Sequence, residues 1–130
     1  MDRQQIKLVK ASWDRLDDNA PAVIDTFFGN LFTAHPELRE KFPEDLTSLR
    51  DKLVKGADVV VGGLSFLSLI GPVVKGLGFG ADLSHVSKEQ IDAVGAALLD
   101  TLSTADAAHW SIELDRAWLA AFEAILAVFK

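Results

Sequence analysis

Apolar residues recur along this chain at steps of three and four, and the strict alternation of a half-buried strand is nearly absent. That periodicity predicts an all-α protein. Ile6, Val9, Trp13 and Leu16 share one face of a first helix, opened by a reciprocal capping pair of Asp2 and Gln5 and ending near Asp17. Asn19, with Pro21 in the first turn, opens a second helix with an aromatic-heavy side of Ile24, Phe27, Phe28, Leu31 and Phe32. Pro36 ends it, because the residue before a proline is pushed out of the helical region. A short helical turn over 37–41 leads to Phe42 and Pro43, and a third long helix is predicted over 45–61, stopped by Gly62 and Gly63. Residues 64–77 read as an interrupted helical stretch, broken at Gly71 and Pro72 and loosened by Gly76, Gly78 and Gly80. The clearest start signal is the capping box of Ser87 and Gln90, flanked by Val86 and Ile91 at hydrophobic-staple spacing. It opens a helix expected to reach Leu102, followed by a loop over 103–110 and a last helix capped by Ser111. On these stripes Trp13, Phe27, Phe32, Leu98, Trp118 and Phe122 are the expected core.

A chain of 130 residues is the length of one domain, and at this size folding hides roughly two-thirds of the surface of the unfolded chain. There is no cysteine, which excludes disulfides, thiolate metal sites and a cysteine nucleophile and fits a reducing compartment. Thirteen Lys and Arg against nineteen Asp and Glu leave a net charge of −6, and no stretch gathers the basic residues that a run of phosphates needs. Nucleic acid is therefore not an expected partner. The first ten residues carry charges throughout and form no secretory signal. The longest uncharged run, residues 59–74, contains three Gly and a Pro and is shorter than the roughly 20 residues that span a bilayer. A cytoplasmic protein with no membrane partner is the expectation.

Catalytic patterns are scarce. No Gly-x-Ser-x-Gly elbow exists, and the glycine-rich run over 76–80 lacks both the Lys-Ser/Thr ending of a phosphate loop and the strand that precedes a dinucleotide fingerprint. The carboxylate pairs Asp17-Asp18 and Glu44-Asp45 fall at helix ends, where solvated capping accounts for them. The three histidines have no metal-binding spacing. His35 and His109 read as solvated or locally bonded, whereas His85, two residues before the Ser87 cap, stands where an imidazole could face a pocket.

The order of these elements and of several local stretches resembles the globin family, especially the bacterial single-domain globins and the globin part of flavohaemoglobins. The stretches are LVKASW with Trp13, FFGNLFTAHPELREKF with Pro36 and Phe42, KGLG before the glycine segment, VSKEQIDAVGAALLDTL, and AWLAAFEAILAVF with Trp118. The resemblance covers the whole chain and implies a single globin-like domain, 1–130, of six to seven helices. It further implies a haem pocket lined by Phe28, Phe42, Leu49, Leu53, Phe79, Ala81, His85 and Val94. The family's proximal histidine, the ligand on which a globin haem depends, falls at Ala81. Its distal polar position falls at Leu49, and the distal tyrosine of bacterial relatives is replaced by Phe28. An alanine cannot coordinate iron, and neither Phe28 nor Leu49 can donate a hydrogen bond to bound oxygen.

The resemblance thus implies a degenerate haem pocket, with no cofactor held in the usual globin manner. The first expectation is a sensor, regulatory or interaction module, with Phe28, Leu49, Phe66, Leu77 and Phe79 filling the space that haem would leave. One alternative is a haem protein using His85, about 6 Å beyond Ala81 along a regular helix, as axial ligand for binding oxygen or nitric oxide. A second is a carrier of an apolar small molecule. No enzyme is expected, because the nitric oxide dioxygenase activity of flavohaemoglobins needs a reductase region.

Overall fold

The structure, a computed structural model, describes residues 1–42, 44–66, 69, 72 and 87–129. Among these there is no strand, and five α-helices carry the fold: α1 (Arg3–Leu16), α2 (Ala20–Ala34), α3 (Thr47–Gly62), α4 (Lys88–Ala105) and α5 (Ile112–Phe129). Short 3-10 turns cover Asp17–Asn19, Pro36–Lys41, Leu64–Phe66 and Ala107–His109. No helix among the described residues is long and apolar enough to cross a membrane.

The helix starts follow local chemistry. At α1 the Asp2 carboxylate accepts from the Gln5 amide at 2.7 Å while the Gln5 side chain accepts from the Asp2 amide at 3.2 Å. Ser87 and Gln90 make the same reciprocal pair at α4, and the Ser111 hydroxyl accepts from the Leu114 amide at the start of α5. These bonds satisfy backbone donors that the first helical turn leaves without partners. Asn19 stands at the N-cap of α2 with Pro21 in the first turn, as expected, although its side chain makes no cap bond. Two boundaries shift. α3 starts at Thr47 rather than Asp45, and Asp45 acts from outside by accepting from the Thr47 amide at 3.0 Å. α4 runs past Leu102 to Ala105, so the expected loop over 103–110 is largely helical. Ser103 and Thr104 turn their hydroxyls back onto the Asp100 carbonyl, which lets two weak helix formers continue the turn.

Packing is pairwise. α1 lies along α5, α2 lies along α4, and α3 packs against α2 and α1. Val9, Trp13 and Leu16 of α1 meet Leu114, Ala117, Trp118 and Ala121 of α5 in one buried cluster that also takes in Val60, Val61 and Leu102. Ile24, Phe27, Phe28 and Leu31 of α2 meet Leu38, Ala93 and Ala97 in a second. Asn30 donates to the Thr101 hydroxyl at 2.9 Å, and Thr101 donates to the Ala97 carbonyl, so a polar pin crosses from α2 to α4.

Trp13, Phe27 and Trp118 are buried as expected. Phe32, Leu98 and Phe122 are only half-buried. The reason for Leu98 and Phe122 is that they border empty space instead of packed neighbours, and Phe32 packs on Phe28, Phe42 and the Arg39 guanidinium near the surface.

An apolar cavity between the helices

The two clusters do not close onto each other everywhere. Between them lies a cavity of about 560 Å³, walled by α2, α3, α4 and α5 and touched by Trp13 of α1. That volume is within the range of small-molecule and cofactor sites. Phe28, Phe42, Leu49, Leu53 and Val94 all line it. The other three residues of the expected pocket, Phe79, Ala81 and His85, lie outside the described residues, as does Leu77. The filling expected of the remaining candidates does not occur. Phe28 and Leu49 stand in the wall and leave the space open, and Phe66 is turned to solvent at 61% exposure. A residue on a short 3-10 turn after Gly63 is carried off the α3 stripe that faces inward.

One end of the wall is aromatic. Phe28 and Phe32 are stacked with centroids 5.9 Å apart, and Phe42 stands edge-on to both, at 6.0 and 5.2 Å, separations at which such ring pairs attract. Pro36 makes this arrangement by ending α2 and sending the chain through the Pro36–Lys41 turn, which brings Phe42 back against the last two turns of the helix. The opposite side is formed where α4 and α5 approach closely: a Cβ on Gly95 would stand 2.8 Å from the Phe122 ring. A small residue at that position is what lets the ring come this close to α4.

Among the described residues few polar groups reach the cavity. The indole N–H of Trp13 donates to Asp58 Oδ1 at 2.7 Å and that of Trp118 to Ser12 Oγ at 3.0 Å, so both tryptophans have their polar atoms engaged elsewhere. Apart from them, the polar side chains in the described wall are Lys41 and Gln90. Lys41 is exposed and therefore stands where the cavity meets solvent. Neither residue was legible as part of a site: Lys41 reads as an ordinary surface cation, and Gln90 reads as the second half of a helix cap. The one available signal was the position of Lys41 beside Phe42.

Haem, the group implied by the resemblance, needs an axial side-chain ligand. The sequence has no Cys or Tyr, and its one Met is Met1, which leaves histidine. His35 is paired with Glu37 at 3.2 Å and His109 lies 3.4 Å from Asp106, and neither lines the cavity. No cluster of metal-binding side chains occurs among the described residues. The described wall therefore fits an apolar body of haem-like bulk and does not fit a coordinated iron.

A buried polar group lies behind the cavity wall, joined to it through Trp118. Asp106, 4% exposed, accepts from Ser12 Oγ at 2.7 Å and from Arg15 at 2.9 and 2.7 Å. Burial by itself pushes this carboxyl up, but the bonds from Arg15 and Ser12 and the nearby charges outweigh it and hold Asp106 below the usual carboxylate range. Because Ser12 also receives the Trp118 indole, the group ties α1, the end of α4 and α5 together. A paired, satisfied carboxylate of this kind is a structural pin with no substrate-facing side. The chain matches no protein-family model.

Proposed function

We propose that the chain is a globin-like binding module of six to seven helices whose pocket has given up haem in the family manner and takes an apolar small molecule, with a sensor or regulatory role for the bound state. The observation that carries this reading is the 560 Å³ cavity itself, lined by Phe28, Phe42, Leu49, Leu53 and Val94 with no iron ligand in its described wall. A protein that had lost haem and served only as a docking surface would gain stability by filling such a space, since an empty cavity forfeits packing contacts. Retained volume favours a ligand. The proposal includes no catalysis: among the described wall residues there is no nucleophile with a partnering base and no acid–base pair.

The test is a pair of titrations on the purified protein, one with haemin and one with the neutral fluorophore N-phenyl-1-naphthylamine. Stoichiometric uptake of the fluorophore with weak, non-stoichiometric haemin binding supports the reading. Tight haemin uptake with an intense Soret band that His85→Ala removes overturns it in favour of a haem protein with His85 as axial ligand for oxygen or nitric oxide.

A further inference from the structure

The hydrogen-bonding groups of the wall narrow the ligand's chemistry. Gln90 uses its Oε1 to accept from the Ser87 amide at 3.0 Å, so what it has left to offer is the Nε2 donor. Lys41 makes no hydrogen bond or ion pair with any described residue, and an ammonium is a donor only. The two indole donors are already engaged. No carboxylate, hydroxyl or imidazole is present in the described wall to accept a bond or to neutralise a cation. The described wall therefore combines an almost wholly apolar surface with an exposed charged donor and an amide donor, and none of its residues complements a cationic head.

Resting on the reading of the cavity as a ligand site, we infer that its ligand is an apolar monocarboxylate, with the hydrocarbon body against the Phe28–Phe42 wall and the carboxylate at Lys41. Each part has its own energetic role. The body gains from leaving water, whereas the head gains a charge-assisted bond at Lys41, which is exposed and so leaves a carboxylate partly hydrated. A carboxylate pushed further inside would give up its water and the Lys41 charge with only the neutral Gln90 amide to replace them. This fixes the polarity of entry: hydrocarbon first, head last.

The experiment displaces bound N-phenyl-1-naphthylamine with dodecanoate, dodecan-1-ol and dodecyltrimethylammonium, each below its aggregation limit, from the wild type and from Lys41→Gln and Lys41→Glu. The expected result is a preference of about tenfold for dodecanoate over dodecan-1-ol in the wild type, shrinking at high salt. Lys41→Gln should abolish that preference while leaving dodecan-1-ol binding unchanged, and Lys41→Glu should turn it toward the cation. Equal affinities of acid and alcohol in the wild type, or a preference for the acid that survives Lys41→Gln, overturn the inference while leaving the cavity reading in place. Failure of the neutral fluorophore and of all three amphiphiles to bind overturns both.

Discussion

The two halves of this helical stack are built from similar residues and packed to different ends. Where α1 lies on α5, Val9, Leu114 and Ala117 are essentially shut off from solvent, and the Ser12–Asp106–Arg15 group adds charged bonds across three elements. Where α2 faces α3 and α4, the buried centre of Ile24, Phe27, Phe28 and Leu31 is ringed by half-buried Phe32, Phe42, Leu49 and Leu53, several of which look into the cavity. In the first half Val9, Leu114, Ala117 and Ala121 are packed away from the cavity, and only the inner edge of the cluster, Trp13, Val60, Val61, Leu102 and Trp118, borders it; in the second, Ile24, Phe27, Phe28 and Leu38 of the buried centre and most of the residues around it border free volume. Dispersion contacts scale with neighbours, so the first half contributes more to holding the fold and the second leaves a cavity open.

The largest expected effect tests this division by truncation. Trp118→Ala should remove about 3 to 5 kcal/mol in urea unfolding, because it takes away a buried indole and leaves Ser12 without its incoming N–H. Leu49→Ala, in the cavity wall, should cost about 1 kcal/mol or less, since it enlarges a space that already exists. If the two variants lose similar amounts, or Trp118→Ala loses under about 0.5 kcal/mol, the proposed difference between the halves is wrong.

Next in size is the polar pin. Asp106→Ala should cost about 1 to 3 kcal/mol, as it strips a buried hydroxyl and a partly exposed guanidinium of their acceptor. The pH dependence follows from the direction of the shift. The folded-state pKa of Asp106 lies below its ordinary value, so its contribution is complete above about pH 4 and is lost as pH falls through the folded-state value. Wild type should therefore lose stability on acidification below about pH 4 more steeply than Asp106→Asn does. Parallel curves would mean that the network does not hold the carboxylate ionised.

A smaller, opposite effect belongs to the open half. Val94→Phe adds a ring at the cavity wall, where free volume exists to receive it, and should raise the midpoint of thermal unfolding by a few degrees. The same change should weaken fluorophore uptake at least tenfold. Destabilisation together with unaltered uptake would mean that the side chain turns away from the cavity.

How much of this the sequence carries depends on the kind of signal. Capping at Asp2, Ser87 and Ser111 is legible because cap and partner sit three residues apart, and the stripe through Val9, Trp13 and Leu16 is legible because the period of a helix is fixed. The continuation of α4 through Ser103 and Thr104 was not, because their hydroxyls choose between ending a helix and bonding back into it. The resemblance picked out Phe28, Phe42, Leu49, Leu53 and Val94, and these do line one cavity. That the space stays open, however, is a property of distances between helices, which apolar patterning does not encode. Phe66 illustrates the point: its residue type suggested filling, and a change of helix type beyond Gly63 turned it outward. Lys41 and Gln90 escaped notice because nothing local distinguishes a surface cation or a capping amide from one that borders a void.

The smallest expected effect is the most discriminating about how compliant that void is. A methyl group on Gly95 would come within 2.8 and 3.2 Å of Phe122 ring atoms, closer than carbon atoms tolerate, so the ring must move. In a close-packed region such a shift propagates and costs about 1 to 3 kcal/mol. Here the ring borders the cavity and can swing into it, and the gain from replacing a mid-helix glycine, about 1 kcal/mol, offsets the displaced contacts. Gly95→Ala should therefore leave stability within about 0.5 kcal/mol of wild type while weakening uptake of N-phenyl-1-naphthylamine several-fold, because the displaced ring occupies ligand volume. A loss above about 2 kcal/mol with unchanged uptake would show that Phe122 is held rigidly and that the α4–α5 side of the cavity is as tightly packed as the α1–α5 core.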